Sequence, residues 1–403
     1  MISNRDIIVV GLQPWDIKIG SNCKNMAMEM SRNNRVLYVN RALDRISALR
    51  SAKDDKVQTR RNSLRGEVND ITPVNDSLWT LDPRTILESI NWIPFTGLFD
   101  LGNYINNKRL AKQINQAAKR LAFKNILLFI DNDFFRALYL PELLDDVHQT
   151  IYYIRDKLTS QPYFKKHGTR LEPVLMKKAT MVAANSAYLA EYAKAYNSNA
   201  FDIGQGCDFD WLKKSLPGTP EEVQSLKGPV IGYVGALLAA RLDITLLEDI
   251  ATQMPAWNLV LVGPEDDAFR KSKLHQLPNV LFTGNRAAEQ LPAYINSFDV
   301  CINPQVINEM TIGNYPRKID EYLALGKPVV ATDTAAMQMF APYVYLCRNK
   351  EEYISQITAA LNEKPFKEPR IQFALSHTWE NCVAEMGNRL DGVTNKNYQN
   401  ALL

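Results

Sequence analysis

No two of the five cysteines, Cys23, Cys207, Cys301, Cys347 and Cys382, stand in a C-x2-C pair. Scattered single thiols argue against a disulfide framework and suit a reducing compartment. The four histidines keep no zinc-ligand spacing with cysteine or with one another. No run approaches the ~18 apolar residues of a membrane-spanning helix. Arg5 and Asp6 stand where a secretory leader needs its apolar core, so none is expected. Charge is nearly balanced, at 47 Lys and Arg against 44 Asp and Glu, and a net +3 is too mild to argue for nucleic acid. The loop after the first apolar run lacks G-x-G-x-x-G, which counts against a dinucleotide dehydrogenase. It also lacks G-x4-G-K-[ST], which counts against a P-loop NTPase. The expectation is a cytoplasmic protein, with peripheral contact to the inner face of a plasma membrane kept in view.

What is present reads as alternating strands and helices. At 403 residues, more than one domain is expected. Residues 6–10 (DIIVV), a loop, a helix capped by Ser21 and residues 35–39 (RVLYV) make one turn of a doubly wound α/β sheet. Gly11, Gly20 and Ser21 lie in the loop where such sheets bind ligands. Residues 41–80 are basic, with Arg45, Arg50, Lys53, Lys56, Arg60, Arg61 and Arg65. Trp92, Phe95, Phe99 and Tyr104 precede a basic helix over 106–123, which reads either as a solvated core helix or as a surface for an anionic membrane or lipid-linked acceptor. Further strands are read at 125–130, 148–154 and 180–184. Asp131, Asn132 and Asp133 follow the first of these, and Arg155 and Asp156 the second. Charged residues just past strand ends are either site residues or caps of the next helix.

The most informative stretch is GNYPRKIDEYLALGKPVVATDT, residues 313–334. Pro316 suits the first turn of a helix, Gly326 its end, and Val329, Val330 and Ala331 a buried strand. Lys318 falls in the first helical turn, where a cation is unfavourable unless an anion is near, and Glu321 lies one turn on. Lysine at a helix start suits phosphate, and a nearby carboxylate suits ribose hydroxyls. The pattern P-x-K-x-x-E-Y-x-A-x-G-x-P-V-V resembles the donor-site segment of GT-B glycosyltransferases, notably the bacterial group that builds surface polysaccharides. ATMVAANSAYLAEYAKAY, starting at 179, and DIGQGCDFDWL, 202–212, resemble two further segments of that family in the same order.

The resemblance implies two Rossmann-like domains facing a cleft. They would comprise an acceptor domain over 1–212, completed by a C-terminal helix in 371–403, a linker at 213–228, and a donor domain over 229–370. It implies that Glu321 binds the nucleotide ribose. It places donor contacts at Gly235, Arg241, Gly263, Pro264 and Gly284, and Gly20 in the first ligand loop, Tyr315 and Lys318 are read beside them as binding candidates. In retaining members a glycine is followed at once by arginine and six residues later by lysine. Here Gly235 is followed by Ala236, and Arg241 holds the later basic position. The first glutamate of the family's Glu-x7-Glu pair would fall at Gly313, which leaves Glu309 as the nearest carboxylate. An inverting enzyme would instead need a base in the first domain, with Asp131, Asp133, Asp156 and Asp16 as candidates. Both outcomes are carried forward. The implied reaction moves a sugar from a UDP- or GDP-sugar to a sugar, lipid-linked or other hydroxyl, with no cofactor or metal required. A nucleotide-sugar epimerase and a non-catalytic binding subunit are the alternatives.

Overall fold

Along β1 (Asp6–Gly11), Ile8 and Val10 face one apolar cluster while Ile7 and Val9 face another. A strand buried on both faces needs helices on both sides, which is the doubly wound arrangement. A computed structural model of the chain describes residues 2–17, 20–46, 55–213 and 218–401. Arg50 and Lys53 of the basic stretch, and residues 214–217 of the expected linker, lie outside them.

Two compact units are present, one formed by 1–204 with 379–403 and the other by 205–378. The first contains β2 (Arg35–Val39), β3 (Leu43–Asp44), β4 (Ile71–Asn75), β5 (Leu78–Leu81), β6 (Ile86–Leu87), β7 (Ile126–Asp131), β8 (Val147–Ile154), β9 (Met181–Ala184) and β10 (Ala200–Asp202). Its main sheet runs β10-β9-β8-β7-β1-β2-β5-β4. Every neighbouring pair is parallel except β4 with β5, while β3 and β6 pair separately. The strand order reverses between β1 and β7, so the crevice for a ligand lies beyond their carboxyl ends.

The second unit contains β11 (Val230–Val234), β12 (Asn258–Val262), β13 (Val280–Gly284), β14 (Val300–Asn303), β15 (Val329–Thr332) and β16 (Tyr345–Cys347). All are parallel, in the order β13-β12-β11-β14-β15-β16. Relative to the first strand of the unit this is 3-2-1-4-5-6, the nucleotide-binding Rossmann order, with its switch point between β11 and β14.

The crossings between units fall at 204/205 and 378/379, against 212/213 and 370/371 in the sequence reading. Side-chain packing accounts for the shift. Phe209, Trp211 and Leu212 pack against the apolar cluster of the second unit, and Val223 is buried within it. At the other end, Ala374 and Phe373 belong to that same cluster. In place of the single C-terminal helix expected in 371–403 there are two helices, Lys367–Leu375 and Trp379–Ala401. Between them the backbone leaves helical geometry, because the His377 carbonyl accepts the Cys207 N–H at 2.9 Å. Trp379, Val383, Met386 and Leu390 recur at helical spacing and bury against Val9, Cys23 and Met26 of the first unit.

The helix at the key stretch spans Lys318–Ala324, two residues later than Pro316 suggests. Gly326 follows its end with φ +68°, the left-handed conformation that glycine adopts without a Cβ penalty.

Candidate functional site

Lys318 and Tyr322 stand four residues apart and therefore on one face of their helix. That face grips consecutive residues of β11. Lys318 Nζ donates to the Tyr233 hydroxyl at 2.6 Å, and the Val234 N–H donates to the Tyr322 hydroxyl at 2.8 Å. The ammonium also lies 4.4 Å from the centre of the Tyr233 ring, a cation–π contact. This anchoring brings Lys318 to Gly235, where an added Cβ would sit 3.2 Å from Nζ and 3.0 Å from the Tyr233 hydroxyl. Two of the expected donor residues thus meet at the carboxyl end of β11, on the switch point.

The three expected glycine turns are laced together. Gly235 N–H donates to the Val262 carbonyl at 2.9 Å, and Gly263 N–H donates to the Gly284 carbonyl at 3.0 Å. Gly263 has φ +148°, and a Cβ there would lie 2.0 Å from the Gly235 carbonyl oxygen, so the close approach of the two turns requires glycine. The Pro264 carbonyl accepts the Leu237 N–H at 2.8 Å, which holds the loop after β11 against the loop after β12.

Glu321 is half-buried, and its carboxylate accepts no hydrogen bond among the described residues. Burial pushes its pKa above the usual carboxylate range, against the pull of Arg317 and Lys318. A desolvated acceptor beside two cations is prepared for hydroxyl or N–H donors from a ligand.

The loop after β14 is pinned to the segment that carries Arg241. Val306 N–H donates to the Arg241 carbonyl at 3.0 Å, and Asn308 Nδ2 donates to the Ala240 carbonyl at 2.9 Å. Arg241 itself is exposed and makes no ion pair among the described residues. Glu309 is exposed on the same loop. Tyr315 points elsewhere: it is buried and its hydroxyl donates to Asp320 at 2.8 Å.

Sequence reasoning missed three residues here. Tyr233 orients Lys318, and its signal was an aromatic two residues before the glycine turn. Asp320 is fully buried and binds His377 and Tyr315. Asn303, the last residue of β14, is also fully buried, and neither its amide oxygen nor its nitrogen has a partner among the described residues.

In the first unit, the expected carboxylates separate into two groups. Asp131 is fully buried and pairs with Arg155 at 2.9 Å, while Asp156 pairs with the same guanidinium at 2.9 Å. Asp133 pairs instead with Arg136 at 2.6 Å, and Arg136 donates to the Gly11 carbonyl at 3.0 Å, across the β1–β7 crevice. Asp133 and Arg136 line a cavity of about 550 Å³, together with Arg41, Phe135, Tyr163 and Trp92. Repulsion from Arg136, with burial, holds the Arg41 pKa below the usual guanidinium range. Asp131, Asp156 and Gly20 do not line that cavity. Gly20 is exposed, and Ser21 behind it caps the helix Asn22–Met30 by accepting the Lys24 N–H at 3.3 Å. Asp16 pairs with Arg60 at 3.1 Å on the surface.

Residues 228–363 match the family model described as glycosyl transferases group 1. The chain is 26% identical over 235 residues to TuaH of Bacillus subtilis (strain 168), which is named as a teichuronic acid biosynthesis glycosyltransferase. That match covers 54% of this chain and 58% of the length of TuaH. Among solved structures, sucrose-phosphate synthase from Thermosynechococcus elongatus superposes with a TM-score of 0.67 at 14% identity, covering 98% of this chain and 100% of the other. HepE of Anabaena, in complex with UDP, superposes with a TM-score of 0.58 at 15% identity, covering 98% and 99%. Residues 228–363 are thus a group 1 glycosyltransferase domain, carried on a chain of the GT-B fold.

Proposed function

We propose that the protein transfers a sugar from a UDP- or GDP-sugar to an acceptor hydroxyl, in the synthesis of a bacterial surface polysaccharide or related glycoconjugate. The observation that carries this reading is the unpartnered carboxylate of Glu321, one turn from a lysine anchored against Gly235 at the Rossmann switch point. Glu321 accepts the ribose hydroxyls. Lys318 and Arg241 face the diphosphate and stabilise the charge that grows on it as the bond to the anomeric carbon breaks. UDP bound to HepE supports a nucleoside diphosphate in a site of this fold, and TuaH supports the polysaccharide role. The acceptor occupies the first unit. Its hydroxyl oxygen forms the new bond to the anomeric carbon, and its proton passes to Asp133 if the outcome is inversion. Glu309, exposed on the loop after β14, is the carboxylate that acts at the sugar if the outcome is retention.

Calorimetric titration with UDP, GDP, ADP and CMP in excess EDTA tests the donor site. One diphosphate should bind without metal, and Glu321→Ala or Lys318→Ala should each weaken it by about tenfold or more, the loss of a charge-assisted hydrogen bond. No binding, or equal binding by both variants, overturns the reading. Product analysis with the donor alone separates transfer from epimerisation.

A further inference from the structure

The most exposed large apolar side chains of the first unit are not scattered. Trp92 is 70% exposed, Phe95 68%, Leu98 59% and Leu101 58%, and Tyr104 and Ile105 continue the same patch. Phe95 to Ile105 recur at intervals of three or four along the first turns of the helix Thr96–Arg120, so they form one stripe. The opposite face of that helix, with Phe99, Asn103, Leu110 and Ile114, is buried in the unit. Tyr163, 58% exposed, adjoins the stripe, because Asn91 Nδ2 donates to its carbonyl at 2.7 Å.

Among the described residues, the unpaired charges on the helix that carries the stripe are all positive. Lys108 and Lys112, on the next turns, are exposed and make no ion pair among the described residues. Lys165 is likewise exposed and unpaired on the neighbouring helix. Asp100, the acidic residue inside the stripe, is neutralised by Arg170 at 2.6 Å. No helix among the described residues is long and apolar enough to cross a membrane. An exposed apolar stripe with Trp and Tyr at one end and free lysines beyond it fits the boundary between acyl chains and anionic headgroups. Long lysine side chains reach headgroup phosphates while their stems cover apolar surface.

We infer that the Trp92–Ile105 face seats the protein on an anionic lipid bilayer. Trp92 and Tyr163 belong both to this face and to the lining of the 550 Å³ cavity that holds Asp133 and Arg136. Docking therefore sets the mouth of that cavity at headgroup level.

Co-sedimentation of the full chain with vesicles tests the inference. The protein should bind phosphatidylglycerol–phosphatidylcholine vesicles and not phosphatidylcholine alone. Phe95→Ser with Leu98→Ser should weaken binding by roughly tenfold or more, and so should Lys108→Glu with Lys112→Glu. Thermal melting of each variant checks that it is folded. Brominated lipid should quench the tryptophan fluorescence of the wild type more than that of Trp92→Phe. Failure of the wild type to bind, or wild-type binding by the folded variants, overturns the inference. So does a dimer in sedimentation velocity that the same substitutions dissolve, because the stripe would then be covered by a second copy.

Discussion

The carboxylate of Asp320 lies 2.7 Å from Nδ1 of His377, and its other oxygen accepts from the Cys207 thiol at 3.3 Å. Cys207 and His377 lie near the two ends of the second unit, so one side chain ties both to the helix that carries Lys318 and Glu321.

Asp320→Ala would remove the buried carboxylate that Tyr315 and His377 share, leaving the pair its weaker 3.3 Å contact with each other. A loss of about 3 kcal/mol in unfolding free energy is expected. Urea denaturation measures it. Nucleotide affinity should fall as well, because the helix that presents Glu321 loses its tether. An unchanged denaturation midpoint would show that the cluster contributes nothing to stability.

Asn303 should behave in the opposite way. A buried amide with neither atom paired destabilises the empty protein, and an apolar side chain of similar size removes that penalty. Asn303→Leu should therefore raise the denaturation midpoint, by up to about 2 kcal/mol in stability. If the amide serves the donor, nucleoside diphosphate binding weakens in the same variant. Higher stability with unchanged affinity would assign Asn303 no part in the site.

Glu172 sets a pH dependence. It is fully buried, with Tyr152 donating to it at 2.8 Å and Tyr192 at 3.2 Å. Burial pushes its pKa from the ordinary 4.5 to about 7. Between those values the folded chain holds a proton that the unfolded chain has released, so stability falls as pH rises. The contribution is fully present below pH 4.5 and lost through pH 7, a difference of about 3 kcal/mol. Glu172→Gln should be the more stable protein at pH 8, with the gap closing towards pH 4.5. Parallel melting curves across that range would argue against a protonated Glu172.

The strands were legible because each is a short apolar run with a turn after it. Residues 35–39 and 180–184 read as strands, and β2 and β9 lie inside them. The helix start at Thr96 was hidden by Pro94 and Gly97, and by a face whose apolar residues look like core while pointing outward. β4 and β5 sit in a basic, weakly patterned stretch and were not seen. At the candidate site, residues in turns and at helix starts were found, since glycine and lysine are conspicuous there. Tyr233 and Asp320 were not, because their partners are distant in the chain, 85 residues away for Tyr233 with Lys318 and 113 for Asp320 with Cys207. Asn303 was not, because burial of an amide with neither atom paired shows only in the folded chain.

Helix Trp379–Ala401 closes one face of the sheet that begins with β1. In order of synthesis, the first unit is therefore the last to be finished. Ile7, Val9, Cys23 and Met26 emerge from the ribosome more than 350 residues before the Trp379, Met386 and Leu390 that cover them. The second unit, contiguous from 205 to 378, can complete its own core in that interval. The nascent first unit meanwhile waits with an apolar face open, which is the period when a chaperone matters most to this chain.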